Sequence, residues 1–91
     1  MIILKRKKGK EMIEQYEAKE LSLIRKICLI QFKMRKAGFK DICIKDTLFL
    51  NARYEKFKFR YNEKFASYEI SADSLLRFSA DDIVNFFLKR I

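Results

Sequence analysis

The sequence predicts an α+β fold: a long N-terminal helix packed on a small, three-stranded antiparallel sheet, with a short C-terminal helix completing the core. Three observations carry this expectation. Residues 10–38 repeat apolar side chains at helical spacing. Residues 53–71 alternate apolar and polar side chains around Asn62-Glu63. From Ser79 onward, helix-start chemistry precedes a second apolar periodicity.

In residues 10–38, ~100° per residue places Met12, Ile13, Tyr16, Leu23, Ile24, Ile27, Cys28, Ile30 and Met34 on one side, with Leu21 and Phe32 at its margin. That face spans about half the circumference, wider than the usual stripe. Glu11 and Glu14 near the start, and Lys33, Arg35 and Lys36 near the end, suit the helix dipole. Gly38-Phe39 reads as a left-handed C-cap with its hydrophobic contact. Such a helix is ~42 Å long, whereas a seven-residue strand covers ~23 Å, so it should overrun the sheet. The overhang is expected to meet the C-terminal helix, the N-terminal segment or a second subunit, which makes a homodimer through the long helix a candidate arrangement. Glu20 and Gln31 interrupt the apolar arc, and a buried unpaired carboxylate is costly. Glu20 is therefore expected to be paired or to lie where the helix leaves the core.

The stretch 41–71 is assigned to the sheet. Ile42 and Ile44 alternate in a strand over 41–45, and residues 46–51 are consistent with either more strand or a loop. The run Arg53–Tyr61, Asn62-Glu63, Lys64–Ser71 reads as a hairpin. A two-residue turn sets Arg60 opposite Phe65, Phe59 opposite Ala66, Lys58 opposite Ser67, Phe57 opposite Tyr68 and Lys56 opposite Glu69. One face then carries Phe57, Phe59, Tyr61, Ala66, Tyr68 and Ile70, and the other Lys56, Lys58, Arg60, Phe65, Ser67 and Glu69. A loop longer by two residues leaves this register unchanged.

Ser79 with Asp82 three residues on resembles a capping box for a helix over 79–90, whose packing face is Ile83, Val84, Phe87, Leu88 and Ile91. Ser71 or Asp73 can start a single turn before it.

The 91 residues suit one domain, which buries only ~60–65% of its unfolded surface. Apolar residues make up 49%, enough for a core. No uninterrupted apolar run is long enough for a membrane span, and Ile2 to Leu4 precede the basic run instead of following it, unlike a signal peptide. Cys28 and Cys43 form no CxxC motif and read as free thiols of a reducing cytoplasm.

Histidine is absent, which removes Ser-His-Asp and Cys-His systems and most zinc sites. No phosphate-cradling glycine motif is present. Asp81 and Asp82 fit capping better than metal ligation. Glu17 to Lys19, the one Glu-x-Lys, falls inside the helix and not on the strand a nuclease site needs. The expectation is a non-enzymatic binding protein without cofactor or metal.

Twenty-one Lys and Arg against twelve acids give +9, which suits an anionic partner. Abundant Lys, Ile and Phe also fit an AT-rich coding sequence, which raises Lys without any binding role. Candidate contacts are Lys5, Arg6, Lys7 and Lys8 in a basic segment over 1–10, and Arg25, Lys26, Lys33 and Lys36 aligned around Leu29 on the far side of the helix. Lys56, Lys58 and Arg60 on the sheet complete the set, with Phe65 available for stacking. Each basic group also has a plain reading as solvated surface.

The order helix, three strands, helix resembles the outline of a double-stranded-RNA-binding domain. The first helix is longer than that family's, and Ser79-Ala80-Asp81-Asp82 stands where that family has lysines, so no family is assigned. Two functional classes follow. One is direct electrostatic binding of DNA or RNA. The other is a phage- or mobile-element-encoded inhibitor of a host nucleic-acid-handling or defence complex, of anti-CRISPR or anti-restriction type, acting by protein contact. A membrane-surface role for the basic helix is disfavoured by the Gly38 stop and the strands after it.

Overall fold

The computed structural model describes the backbone of residues 6–91 and the side chains of residues 18–91. Helix α1 (Arg6–Ala37) leads into strands β1 (Lys40–Phe49), β2 (Ala52–Tyr61) and β3 (Lys64–Ser71), followed by helices α2 (Ala72–Arg77) and α3 (Ala80–Lys89). The sheet is antiparallel in the order β1-β2-β3. The expected α+β architecture is present, with α1 on the sheet and two short helices at the C-terminal end.

Helix α1 already runs through Arg6, four residues before Lys10, so Arg6, Lys7 and Lys8 are helical and Glu11 and Glu14 stand further in than a start at Lys10 would place them. Lysines and arginines are good helix formers, and Gly9, which could have capped a start at Lys10, is carried inside the helix at a cost of ~1 kcal/mol. Lys5 lies outside the described residues, as do the side chains of Met12, Ile13 and Tyr16. The helix stops as expected. Gly38, at φ 105°, donates to the Arg35 carbonyl at 3.1 Å, and Phe39 donates to the Met34 carbonyl at 3.0 Å. These two bonds form a Schellman cap, with Met34 and Phe39 both buried as its hydrophobic contact. At 32 residues, α1 is ~48 Å long against ~34 Å for a ten-residue strand, so it is longer than the sheet it crosses.

The β2–β3 register matches expectation at every pair, closed by a two-residue turn in which Asn62 and Glu63 have φ of 50° and 65°. The stretch after residue 45 resolves into more strand. β1 continues to Phe49 and turns at Leu50-Asn51, also with both φ positive. Two left-handed residues make the type I′ geometry that matches strand twist. Leu at such a position is unusual, which is why the sequence did not announce this turn. A bulge interrupts the register between Lys40 and Cys43, with Asp41 at φ 54°.

The core lies between the sheet and the three helices. Phe87 of α3 sits at its centre, with ring centroids 5.3 Å from Phe57, 4.9 Å from Phe59 and 5.6 Å from Tyr68. Leu23, Ile30 and Met34 of α1, Leu75 of α2, and Ile83 and Val84 of α3 complete it. Ser71 and Ser79 cap α2 and α3, accepting bonds from the backbone N–H of Ser74 at 3.2 Å and Asp82 at 3.1 Å. Among the described residues, α3 meets α1 near its C-terminal end, where Lys33 pairs with Asp81 at 2.9 Å.

The apolar arc of α1 is covered only in part. Leu23, Ile30 and Met34 are buried, while Leu21, Ile24, Cys28 and Phe32 are exposed. Glu20 is paired: its carboxylate accepts from Arg53 on β2. Arg53 also bonds Glu55 at 2.8 Å and lies 3.5 Å from Asp46 on β1, so one guanidinium gathers three carboxylates under the helix. Glu55 is only 3% exposed. Burial pushes its carboxyl pKa up, and the hydrogen bond and charge of Arg53 offset only part of that shift.

Candidate nucleic-acid interface

Strand alternation separates two faces of the sheet. Glu55, Phe57 and Phe59 point into the core, so Lys56, Lys58 and Arg60 project from the outer face. Pairing extends that outer face sideways. Lys45 lies opposite Lys56, Cys43 opposite Lys58, and Lys40 opposite Arg60 on β1; Glu69, Ser67 and Phe65 are their counterparts on β3. The sheet thus assembles five basic side chains on one surface, with Phe65 beside Arg60. Lys40 and Lys45 were missed from sequence because their strand was legible only over 41–45 and its partner was not. Knowing the β1–β2 turn would have found them.

The five charges are not equivalent. Arg60 donates from Nε to Asp41 at 2.7 Å and from Nη1 to Glu63 at 3.0 Å. The bond and charge of Asp41 push its pKa up further, and its field is largely answered by these two acids. Among the described residues, no carboxylate lies within ion-pair distance of Lys40, Lys45, Lys56 or Lys58. These four lysines carry the positive potential of the face. Phe65, 78% exposed, stands beside Arg60 with its ring in water.

The helical candidates lie elsewhere. α1 packs on the core face of the sheet, so its solvent side looks away from the outer face. There Arg25 is exposed and Lys26 half-buried, Lys33 is held by Asp81, and Lys36 sits 5.1 Å from the centroid of Phe32. The basic residues therefore form two patches on opposite sides of the molecule, and one rigid duplex cannot lie on both. The side chains of Arg6, Lys7 and Lys8 fall outside the described residues, as does Lys5 altogether.

A third surface is apolar. Between β3 and the helices α2 and α3 lies an open cleft of about 580 Å³, lined by Ile70, Phe78, Ile83 and Phe86, with Glu69 and Asp82 among its walls. Among the described residues, no cluster of three metal-ligating side chains occurs, and no helix is long and apolar enough to cross a membrane. No protein-family model, curated protein or solved structure matches the chain.

Proposed function

We propose that this chain is a non-enzymatic binding protein that holds a nucleic-acid backbone on the outer face of its sheet. One observation carries the reading: Lys40, Lys45, Lys56 and Lys58 share one surface of the three-stranded sheet, with no carboxylate within ion-pair distance among the described residues. Lysines held by paired strands present point charges at fixed spacing, and neutralising phosphates there releases condensed counterions, which drives association. Phe65 offers a π-face at the edge of the patch, which favours single-stranded or unpaired bases over a closed duplex. Arg60, already answered by two acids, contributes less than its position suggests.

The test is a binding titration with single- and double-stranded DNA and RNA across a salt series. Affinity should fall log-linearly with salt, and K56E/K58E should weaken binding on every sequence and flatten the salt slope by up to ~0.9 per lost phosphate contact. Phe65→Ala should weaken single-strand binding by ~1–3 kcal/mol and leave duplex binding almost unchanged. Absence of any complex at low salt would sink this reading.

A second reading rests on a different observation, the apolar cleft between β3 and α2–α3. An inhibitor acting by protein contact would seat an apolar side chain of its target between Phe78 and Phe86, with a basic neighbour near Glu69 and Asp82. Under that reading Phe86→Arg abolishes a stoichiometric complex with the target, while K56E/K58E leaves it intact.

A further inference from the structure

Among the described residues, β1 is an edge strand, hydrogen-bonded on one side only. Its residues Asp41-Ile42-Cys43-Ile44-Lys45 read as a charge antipalindrome about Cys43. Laid antiparallel against a second copy with the two-fold axis at Cys43, Ile42 meets Ile44 in the regular part of the strand, and Lys45 faces the bulge at Asp41, whose carboxylate has the opposite charge. Faces match as well. Ile42 and Ile44 are half-buried on the core side, while Lys45 projects from the outer face, and Asp41 reaches Arg60 on that same face.

Neighbouring registers are disfavoured by the same rule. An axis at Lys45 or Asp46 puts like charges face to face, and an axis at Ile44 sets Ile42 against Asp46. The hydrogen-bonding phase also agrees. The type I′ turn at Leu50-Asn51 closes Phe49 and Ala52 as a hydrogen-bonded pair, and the register runs unbroken to Cys43 opposite Lys58. Cys43 thus directs its peptide groups to β2, and across the open edge it falls in the closer, non-hydrogen-bonded type of pair, with Cα atoms ~4.5 Å apart.

An edge strand alone buries too little for a stable dimer, which needs ~800 Å² per partner. The helix supplies the remainder. A two-fold axis through a continuous antiparallel sheet keeps both α1 helices on one face, running antiparallel side by side. α3 occupies one flank of α1, where Lys33 meets Asp81, so the opposite flank looks over the β1 edge. That flank carries Leu21, Ile24, Cys28 and Phe32, all exposed. Arg53 of β2 takes Glu20 from the helix and Asp46 from β1 on one guanidinium, which seats α1 between these two strands. With strands ~4.8 Å apart, the two helices then lie ~10 Å from each other, close to a normal interaxial distance. The same register brings the apolar hairpin tip, with Leu48 and Phe49, alongside the Gly38 corner of the second copy.

We infer that the chain forms a two-fold homodimer through β1, centred on Cys43, giving a six-stranded sheet with the two α1 helices packed across the axis. The dimer takes Lys45 of the outer-face lysines into its interface and leaves Lys56 and Lys58 outside it, and its test needs no ligand on that face.

Two measurements test it. Light scattering over a concentration series should show a dimer that Cys43→Arg converts to monomer. Cys43 is exposed, so the variant should keep the wild-type circular dichroism while placing like charges on the axis. In the C28S background, diamide, which takes up two electrons and two protons per thiol pair, should link two chains through Cys43. The C28S/C43S control should not cross-link. A monomer at every concentration overturns the inference, as does a dimer that persists in Cys43→Arg or that diamide fails to link through Cys43.

Discussion

The two flanks of α1 are nearly alike in sequence and opposite in circumstance. On one, Leu23, Ile30 and Met34 are buried against α2, α3 and the sheet. On the other, Leu21, Ile24, Cys28 and Phe32 stand in water over the open edge of β1. Both are apolar stripes at helical spacing, and the moment of the helix cannot separate them. The difference lies in the neighbour. α2 and α3 follow in the same chain and are brought onto one flank by the capped turns at Ser71 and Ser79. Among the described residues, neither α2 nor α3 covers the other flank; α3 lies over β3, where the Tyr68 hydroxyl donates to the Arg90 carbonyl at 3.4 Å. An apolar stripe records that a surface suits burial, and topology decides whether one chain has enough elements to bury it.

The sharpest way to break the comparison is to truncate one residue on each flank. Ile30→Ala should cost 2–5 kcal/mol, the range for deleting fully buried branched side chains, because the site is packed from both sheet and helices. Ile24→Ala, two turns earlier on the exposed flank, should cost under ~0.5 kcal/mol in the monomer. In the dimer, whose unfolding midpoint depends on protein concentration, it should lower stability further and weaken that dependence. Urea unfolding at two protein concentrations separates these outcomes. Equal, concentration-independent costs at both positions would mean that the flanks do not differ as described.

A smaller effect is expected at the cap that brings α3 over the covered flank. Ser79→Ala removes the acceptor for the Asp82 N–H and should destabilise by ~1 kcal/mol, read as a shift in the urea midpoint with an unchanged slope.

The smallest effect concerns the charged cluster beneath α1, and its sign is specific. Burial raises the folded-state pKa of Glu55 above the ordinary carboxylate value, so the folded state holds this proton more tightly than the unfolded state does. Stability associated with Glu55 is then fully present below the unfolded pKa and declines as pH rises through the folded one. Glu55→Gln should flatten that decline and be neutral or mildly stabilising at neutral pH. Unfolding of both proteins from about pH 4 to pH 8 checks it. A variant that is weaker at neutral pH than in acid would show that the Arg53 ion pair outweighs burial.

Much of the fold was legible because it is written in local chemistry. The C-terminal end of α1 follows from Gly38, the one residue type that adopts φ 105° without strain, and from Phe39 behind it. The β2–β3 register follows from strict alternation on both sides of Asn62-Glu63, since a one-residue slip would send Phe57 and Phe59 into water. Glu20 was expected to be paired or to lie where the helix leaves the core, and it is both exposed and bonded to Arg53. Two boundaries were not legible. α1 runs through Gly9 to Arg6, past the cap that Gly9 offers at Lys10, and the β1–β2 turn rests on Leu50, whose φ of 52° is imposed by strand pairing and not by its own preference.

The candidate site was legible by face and not by membership. Sequence alternation put Lys56, Lys58 and Arg60 together, and only the β1–β2 register added Lys40 and Lys45. Only tertiary contacts revealed that Asp41 and Glu63 answer Arg60, that Asp81 holds Lys33, and that the helical and strand patches face opposite ways.

By itself, then, the sequence determined the class of fold, the hairpin register, the helix stop and caps, and the face on which each strand side chain lies. These depend on backbone dihedrals and periodicities that act within a few residues. The tertiary structure decided which flank of α1 is covered, which lysines remain without partners, and that β1 is left as an open edge. Those outcomes depend on which elements reach one another across the chain, a competition among distant contacts that no local pattern encodes.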